Sequence, residues 1–257
     1  MKPVIVFAAA LLTFHLSAQP ELSLVKADKH PMQYYLSLPK GWSKERAWPV
    51  VVILESASKE YKANAEQFVT ARGGRPFILI APINTNNGNQ SRRDATVFPY
   101  SSETWDYMDK IGDCQFNDEG IVAIVKEVAE KYHGESKVFI TGFEAGAHSL
   151  WSIVFHHPDL LKAAAPVAGN FLNRCVEQVK ISNDPSKANL PVRSFRGGKV
   201  NQSFPPATFL SEQWKVVKSL AQSNGYKNIS EEVVPAKSHE PMPNEVLAYF
   251  SGLLEKK

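Results

Sequence analysis

The sequence has few of the features that mark a metalloprotein, a nucleic-acid-binding protein or a nucleotide-binding protein. It has 2 cysteines and 7 histidines, and none of them lies in a Cys-x-x-Cys or His-x-x-Glu-His run. The net charge is only +3, without any block of like charge, which argues against nucleic acid as a partner. Gly73-Gly74 is followed by Arg75-Pro76, so no phosphate-binding glycine loop is present. The residues therefore imply no cofactor and no metal.

Long apolar runs are also missing, apart from one at the N-terminus. Lys2 precedes an apolar run from Val4 to Leu12, and Leu16-Ser17-Ala18 offers a small-residue cleavage site. This run is too short to span a bilayer as an anchoring helix. We therefore predict a signal peptide over residues 1–18, a secreted or periplasmic protein with no membrane span, and a single domain over residues 19–257.

The two cysteines, Cys114 and Cys175, gain meaning from the predicted export. An even number of cysteines in an oxidising compartment permits one disulfide. Such a bridge would close a loop of about 60 residues and stabilise the fold by roughly 3–4 kcal/mol on the chain-entropy model. Two buried free thiols are the alternative, because spacing alone does not prove a connection.

Apolar runs and helical periodicity alternate along the chain, most regularly in its second half. Runs of branched residues predict strands, and apolar residues at a spacing of 3.6 predict helices. We predict strands at residues 33–39, 48–54, 77–82, 138–141, 163–169, 191–198 and 229–234, and helices at residues 61–71, 117–132, 145–156, 209–223 and 244–257. Asn117 is the predicted N-cap of its helix. The order indicates a mostly parallel sheet with helices on both faces, preceded by an antiparallel strand.

Residues 84–113 form a long polar segment that we predict to be a loop. Its aromatic residues include Phe98, Tyr100, Trp105 and Tyr107. A loop of this length in a compact domain is usually functional or mobile. The aromatic side chains either line a pocket or fix the loop to the core.

The most informative stretch is Gly142-Phe143-Glu144-Ala145-Gly146, between a predicted strand and a predicted helix. Its glycine spacing is that of the nucleophile elbow, G-x-S-x-G, a sharp turn that raises the central side chain above the sheet. The central residue here is Glu144 rather than serine. The pattern therefore favours the fold more strongly than the catalysis.

GFEAGAH at residues 142–148 and APVAG at residues 165–169 together resemble the α/β-hydrolase superfamily. Within it, the chain is most similar to secreted esterases of the polyhydroxybutyrate-depolymerase and feruloyl-esterase type. The resemblance covers nearly the whole mature chain. It implies an α/β-hydrolase fold with a mostly parallel central sheet, and activity on carboxylic esters.

The resemblance also implies a mechanism of four parts, which are a serine nucleophile, a histidine base, an acid that orients it, and backbone amides that bind the oxyanion. Glu144 stands at the nucleophile position and His239 at the base position. The acid position falls in residues 196–201, Arg-Gly-Gly-Lys-Val-Asn, which contain no carboxylate. The oxyanion loop, usually His-Gly, reads Glu55-Ser56. His148, just after the elbow, is expected to be packed rather than catalytic.

Three hypotheses follow for function. The first is a catalytically silent protein that binds a partner or a ligand, either a small molecule or a polymer, with Glu144 ion-paired to His239, or to Arg196 and Lys199. The second is an enzyme in which Glu144 acts as a nucleophile on an alkyl carbon, or as a general base beside His239. The third is a residual hydrolase of acyl, feruloyl or polyester substrates.

Overall fold

The computed structural model describes residues 22–85, 94–172, 174–176, 181–199 and 207–255, and the predicted signal peptide lies outside these ranges. The strands are β1 (Ser23–Lys26), β2 (Gln33–Ser37), β3 (Val50–Leu54), β4 (Ile78–Pro82), β5 (Val138–Phe143), β6 (Leu161–Val167), β7 (Val192–Gly197) and β8 (Ile229–Val234). The helices are α1 (Tyr61–Arg72), α2 (Ser102–Ile111), α3 (Asp113–Tyr132), α4 (Gly146–His156), α5 (Ala207–Ser223) and α6 (Pro243–Leu254). Short 3-10 turns lie at Pro158–Leu160 and Pro185–Ala188.

The strands form one sheet in the order β1-β2-β4-β3-β5-β6-β7-β8. β2 runs antiparallel to both β1 and β4, and all other neighbours are parallel. The predicted, mostly parallel sheet with an antiparallel strand at its start is therefore confirmed. Because the parallel strands end at one edge, the loops that follow β3, β5, β6, β7 and β8 come together there.

The apolar runs explain why helices cover both faces. All five residues of β3 and of β4 are buried, as a strand covered on both sides requires. On one face Val52 packs in a cluster with residues of α3 and α4, including Ile124 and Trp151. On the other face Ile53 packs with residues of α1 and α6, including Phe250. The core thus lies on both sides of the central strands, whose ends carry the loops at the edge of the sheet.

The prediction that residues 84–113 form one loop is wrong, because helix α2 lies within this segment. Ser101 caps the helix, and its hydroxyl accepts a hydrogen bond from the Thr104 amide at 3.3 Å. Trp105 is buried, and its ring lies 5.4 Å from that of Tyr100 and 6.3 Å from that of Phe98. For Phe98, Tyr100 and Trp105 the structure supports attachment to the core, whereas Tyr107 is 43% exposed.

The prediction of Asn117 as an N-cap is also wrong. Helix α3 begins at Asp113, after Gly112, which adopts a φ of +86°. Asn117 lies inside the helix, and its side-chain oxygen accepts from the Thr85 amide at 2.9 Å. Its polar side chain therefore holds the segment after β4 rather than starting the helix.

Cys114 and Cys175 are joined by a disulfide across 61 positions of sequence. The bridge connects the first turn of α3 to the segment after β6. In the ranges that the structure describes, no helix is both long and apolar enough to cross a bilayer.

Candidate functional site

The turn between β5 and α4 holds Glu144 in the left-handed backbone region, at a φ of +50°. The Glu144 amide donates to the Val167 carbonyl at 3.0 Å. The Glu144 carbonyl accepts from the amides of Ala147, at 3.1 Å, and Asn170, at 3.0 Å. A residue with a Cβ atom is disfavoured here by roughly 1–2 kcal/mol. The backbone of a nucleophile elbow is present, with a carboxylate at its centre.

The two glycines of the elbow are required by close backbone contacts. A methyl group on Gly142 would lie 2.8 Å from the Gly146 carbonyl oxygen. A methyl group on Gly146 would lie 2.5 Å from the Leu54 oxygen and 2.6 Å from the Glu55 oxygen. The glycine spacing in the sequence thus reflects the packing of α4 against the ends of β3 and β5.

His239 lies in the loop between β8 and α6 and faces the elbow. Its ring centroid is 5.1 Å from that of Phe143. Burial lowers the pKa of His239, and the negative charge of Glu144 acts in the opposite, smaller sense. The imidazole is therefore neutral near pH 7 and lies within electrostatic range of Glu144. The structure brings these two sequence-predicted residues to the same part of the sheet edge.

The ion pair predicted for Glu144 is not formed. Within the described ranges, no basic nitrogen lies within the 4.0 Å of an ion pair from its carboxylate. Arg196 instead donates to Glu231 at 3.2 Å, on the neighbouring strand. Lys199 is exposed, and its backbone amide donates to the Lys237 carbonyl. Glu144 acts on His239 only through its longer-range field.

The acid position offers no partner for the imidazole. The chain has no Asp or Glu between Arg196 and Ser211. The Nδ1 atom of His239 is buried and has no hydrogen-bond partner among the described residues. In a serine triad this nitrogen donates to the acid, which sets the tautomer and orientation of the ring. His239 lacks that restraint.

The segment after β3, at the oxyanion-loop position, is organised around its own carboxylate. Glu55 is only 4% exposed, and its Oε1 atom accepts from the hydroxyls of Ser56, at 2.7 Å, and Ser58, at 2.9 Å. The Glu55 backbone adjoins Gly146 of the elbow, and a carboxylate on this segment disfavours negative charge nearby. The segment is therefore poorly suited to holding an oxyanion.

A serine, a histidine and an aspartate do meet elsewhere, between α3 and α4. The Ser152 hydroxyl donates to Asp118 at 2.7 Å, and His156 Nδ1 lies 2.9 Å from the same carboxylate oxygen and 3.2 Å from the hydroxyl. A triad needs the serine on one ring nitrogen and the acid on the other. Here both share Nδ1 in a buried position, so this cluster is not a displaced triad.

His148 is packed in the first turn of α4, as predicted, and is 5% exposed. Burial, with a smaller contribution from the positive charge of Arg174, lowers the pKa of His148 to about 4. Its Nδ1 atom is buried without a hydrogen-bond partner in the described part of the chain. His148 is thus a neutral, internal residue near neutral pH.

The segment after β6 contributes residues that the sequence analysis did not identify. Ala168 adopts a φ of +43°. Two residues later, the amide of Asn170 donates to the Glu144 carbonyl and so helps to fix the turn. The amide of Phe171 donates to the side-chain oxygen of Gln213 at 2.5 Å. The Gly-Asn pair at residues 169–170, a turn signal after a buried strand, was the one available indication.

No group of three or more metal-binding side chains occurs among the residues described here. The segments around the elbow supply carboxylates, amides and one neutral imidazole. This arrangement can form ion pairs and hydrogen bonds with a ligand.

No protein-family model matches the chain, and no curated protein matches it either. Solved structures do match. A thermostable esterase is 17% identical with a TM-score of 0.59, and the match covers 93% of this chain but only 63% of that esterase. A Bacillus cereus carboxylesterase is 15% identical with a TM-score of 0.57, covering 87% of this chain and 94% of that one.

An esterase from Thermogutta terrifontis, solved with bound propionate, is 12% identical with a TM-score of 0.54, and covers 94% of this chain and 95% of that one. At identities this low, the TM-scores show a common fold and do not show a common activity. Together with the strand order, they establish that the chain has an α/β-hydrolase fold and that similar structures belong to esterases.

Proposed function

We propose that this is an exported α/β-hydrolase-fold protein that has lost serine-esterase catalysis and binds a small-molecule or polymer ligand at the edge around Glu144 and His239. The observation that carries the proposal is the carboxylate at the centre of the elbow. A carboxylate is a poor nucleophile toward an ester, because the anhydride it would form is uphill. Its charge also opposes the oxyanion of the transition state.

The surroundings of His239 support the same conclusion. Loss of the nucleophile of a serine triad lowers kcat by a factor on the order of 10⁶, and loss of the acid alone by about 10⁴. These losses are not additive, and the roughly 10³–10⁴ over the reaction in water that remains in such variants comes from the oxyanion hole together with substrate binding. With Glu144 at the elbow, no acceptor for His239 Nδ1 and the buried Glu55 at the oxyanion position, hydrolysis would fall below that level, to near the uncatalysed rate.

Export is supported by two independent features. The N-terminal residues have the charge, apolar run and cleavage site of a signal peptide. The disulfide between Cys114 and Cys175 is of the kind that persists in oxidising compartments.

The test is hydrolysis of nitrophenyl esters by the purified mature protein, by Glu144→Ser and by His239→Ala. We expect the wild type and His239→Ala to show the same, near-background rate, and Glu144→Ser to gain a weak activity. Wild-type activity well above background that His239→Ala abolishes would contradict the proposal and favour an unconventional esterase.

A second candidate is favoured by the electrostatic contact between Glu144 and the neutral His239. Glu144 would attack an alkyl carbon, or activate water with His239 nearby. Relatives that cleave carbon–halogen bonds use the shorter Asp at the elbow, and the extra methylene of Glu moves its oxygens by about 1.5 Å, enough to spoil an aligned attack. Transfer of ¹⁸O from labelled water into Glu144 during turnover of an alkyl halide would support this chemistry, and its absence would count against it.

A further inference from the structure

We propose that the ligand of this edge carries a protonated primary amine on an apolar body, and that the Glu144 carboxylate binds the amine as an ion pair. The inference rests on the proposed function, because it requires Glu144 to act in binding rather than in catalysis. It adds the chemical class of the ligand.

Two cations at this edge, Arg196 and Lys237, are paired with carboxylates other than Glu144, and Lys199 forms no ion pair with Glu144. Arg196 is bound to Glu231 at 3.2 Å, and Lys237 to Glu240 at 3.2 Å. Glu144, in contrast, has no ion pair within the described ranges, although it lies in the turn that this fold directs toward ligands. The charge of Glu144 is therefore available to a cation from outside the chain.

His239 does not neutralise this charge. Because burial lowers the pKa of its imidazole, the ring is uncharged near neutral pH. Glu144 is of intermediate exposure, and a cation that binds its carboxylate would form a charge-assisted hydrogen bond. An ammonium group, with three donors, is the smallest organic cation that suits the position.

Buried polar atoms next to the elbow supply a second, independent indication of a ligand. Gln213 is 6% exposed, and its Nε2 atom has no partner in the described part of the chain, while its other end holds Phe171. The side-chain oxygen of Asn170 is likewise buried without a partner there, and the amide of Asn170 bonds the Glu144 carbonyl. Unsatisfied atoms of this kind require an explanation. The Asn170 oxygen can accept from an ammonium group, whereas the Gln213 nitrogen is a donor and needs a second, accepting group on the ligand.

The same segments carry exposed apolar side chains. Leu172 follows Phe171 and is 59% exposed, and Phe209, one helical turn before Gln213, is 39% exposed. Because residues four apart in a helix share one face, Phe209 and Gln213 lie on the same side of α5. An apolar body next to the amine would cover these side chains.

The experiment uses three probes of one shape, 4-phenylbutylamine, 4-phenylbutanol and 4-phenylbutyrate, with binding measured by calorimetry on the full mature protein. We expect the amine to bind about 10- to 100-fold more tightly than the other two probes, because a hydrogen bond between charged groups typically adds this much to the affinity. Glu144→Gln, which keeps shape and removes charge, should abolish the preference. Glu66→Gln, which alters an exposed carboxylate of α1 paired with Lys62 at 3.7 Å, should retain it.

Equal affinity for the three probes, no detectable amine binding at millimolar concentration, or an unchanged preference in Glu144→Gln would each overturn the inference. Thermal unfolding of each variant verifies that it is folded. The nitrophenyl-ester assay on the same samples separates the two proposals. Amine binding by an active esterase would refute the loss of catalysis alone, and absence of amine preference in an inactive protein would refute the ligand class alone.

Discussion

Replacing Glu144 by glycine and by alanine measures the strain that the structure assigns to the elbow. Both changes remove the carboxylate, so any effect of charge cancels in their difference. At the observed φ of +50°, the Cβ atom of alanine is as unfavourable as that of glutamate, and glycine is free of this cost.

The size of the difference follows from two opposing effects. Removing a Cβ atom from the left-handed region stabilises the folded state by roughly 1–2 kcal/mol. The greater freedom of glycine in the unfolded chain offsets about 0.5–1 kcal/mol of this. We expect the free energy of unfolding of Glu144→Gly to be about 0.5–1 kcal/mol higher than that of Glu144→Ala. For a chain of this size, this difference corresponds to roughly 1–4 °C in Tm.

The measurement is denaturant unfolding of both variants with the disulfide intact. Ser219 is the matched control, since it is exposed within α5, where the backbone is helical. There glycine should be less stable than alanine, by about 1 kcal/mol. If Glu144→Gly is also less stable than Glu144→Ala, then the elbow does not hold a positive φ, and the account of the site fails.

Two further predictions concern stability. The pKa of His148 is about 4 in the folded state and about 6.5 in the unfolded state, so folding favours the neutral imidazole. The stability of the fold is therefore complete above pH 6.5, and up to about 3 kcal/mol of unfolding free energy is lost as the pH falls to 4. Unfolding titrations of His148→Gln should lack this part of the pH dependence, and an unchanged profile would disprove it. Breaking the Cys114–Cys175 bridge, by Cys114→Ser with Cys175→Ser, should lower the unfolding free energy by about 3–4 kcal/mol, and a loss below 1 kcal/mol would contradict this.

The sequence predicted the bounds of several elements closely. β8 has the predicted bounds, although none of its six residues is fully buried, and the predictions for β3 and α5 differ from the structure by two residues at one end. β1 was not predicted, because most of its residues are exposed and it exists through pairing with β2. α2 was not predicted because, of its ten residues, only Trp105 and Met108 are buried, which leaves almost no periodic signal.

At the candidate site, the spacing of the glycines predicted the turn at Glu144. The position of His239 after the last strand predicted that it would lie near this turn. The partner of Arg196 was wrongly predicted, since Glu231 lies on an adjacent strand and the pairing depends on the register of β7 and β8. Gln213 carries no motif, and Asn170 carries only the Gly-Asn turn signal. Their roles come from hydrogen bonds between segments distant in sequence, which local patterns do not encode.

The hydrogen bonds of the elbow explain how the fold retains its shape with a carboxylate at the centre. The bonds that fix the turn run through the backbone of Glu144 to Val167, Ala147 and Asn170, and none uses its side chain. Shape and chemistry are thus separable, and Glu144→Ser should fold normally and present a hydroxyl toward His239. Since His239 Nδ1 still lacks an acid, the activity gained should remain about 10⁴-fold below that of a complete triad.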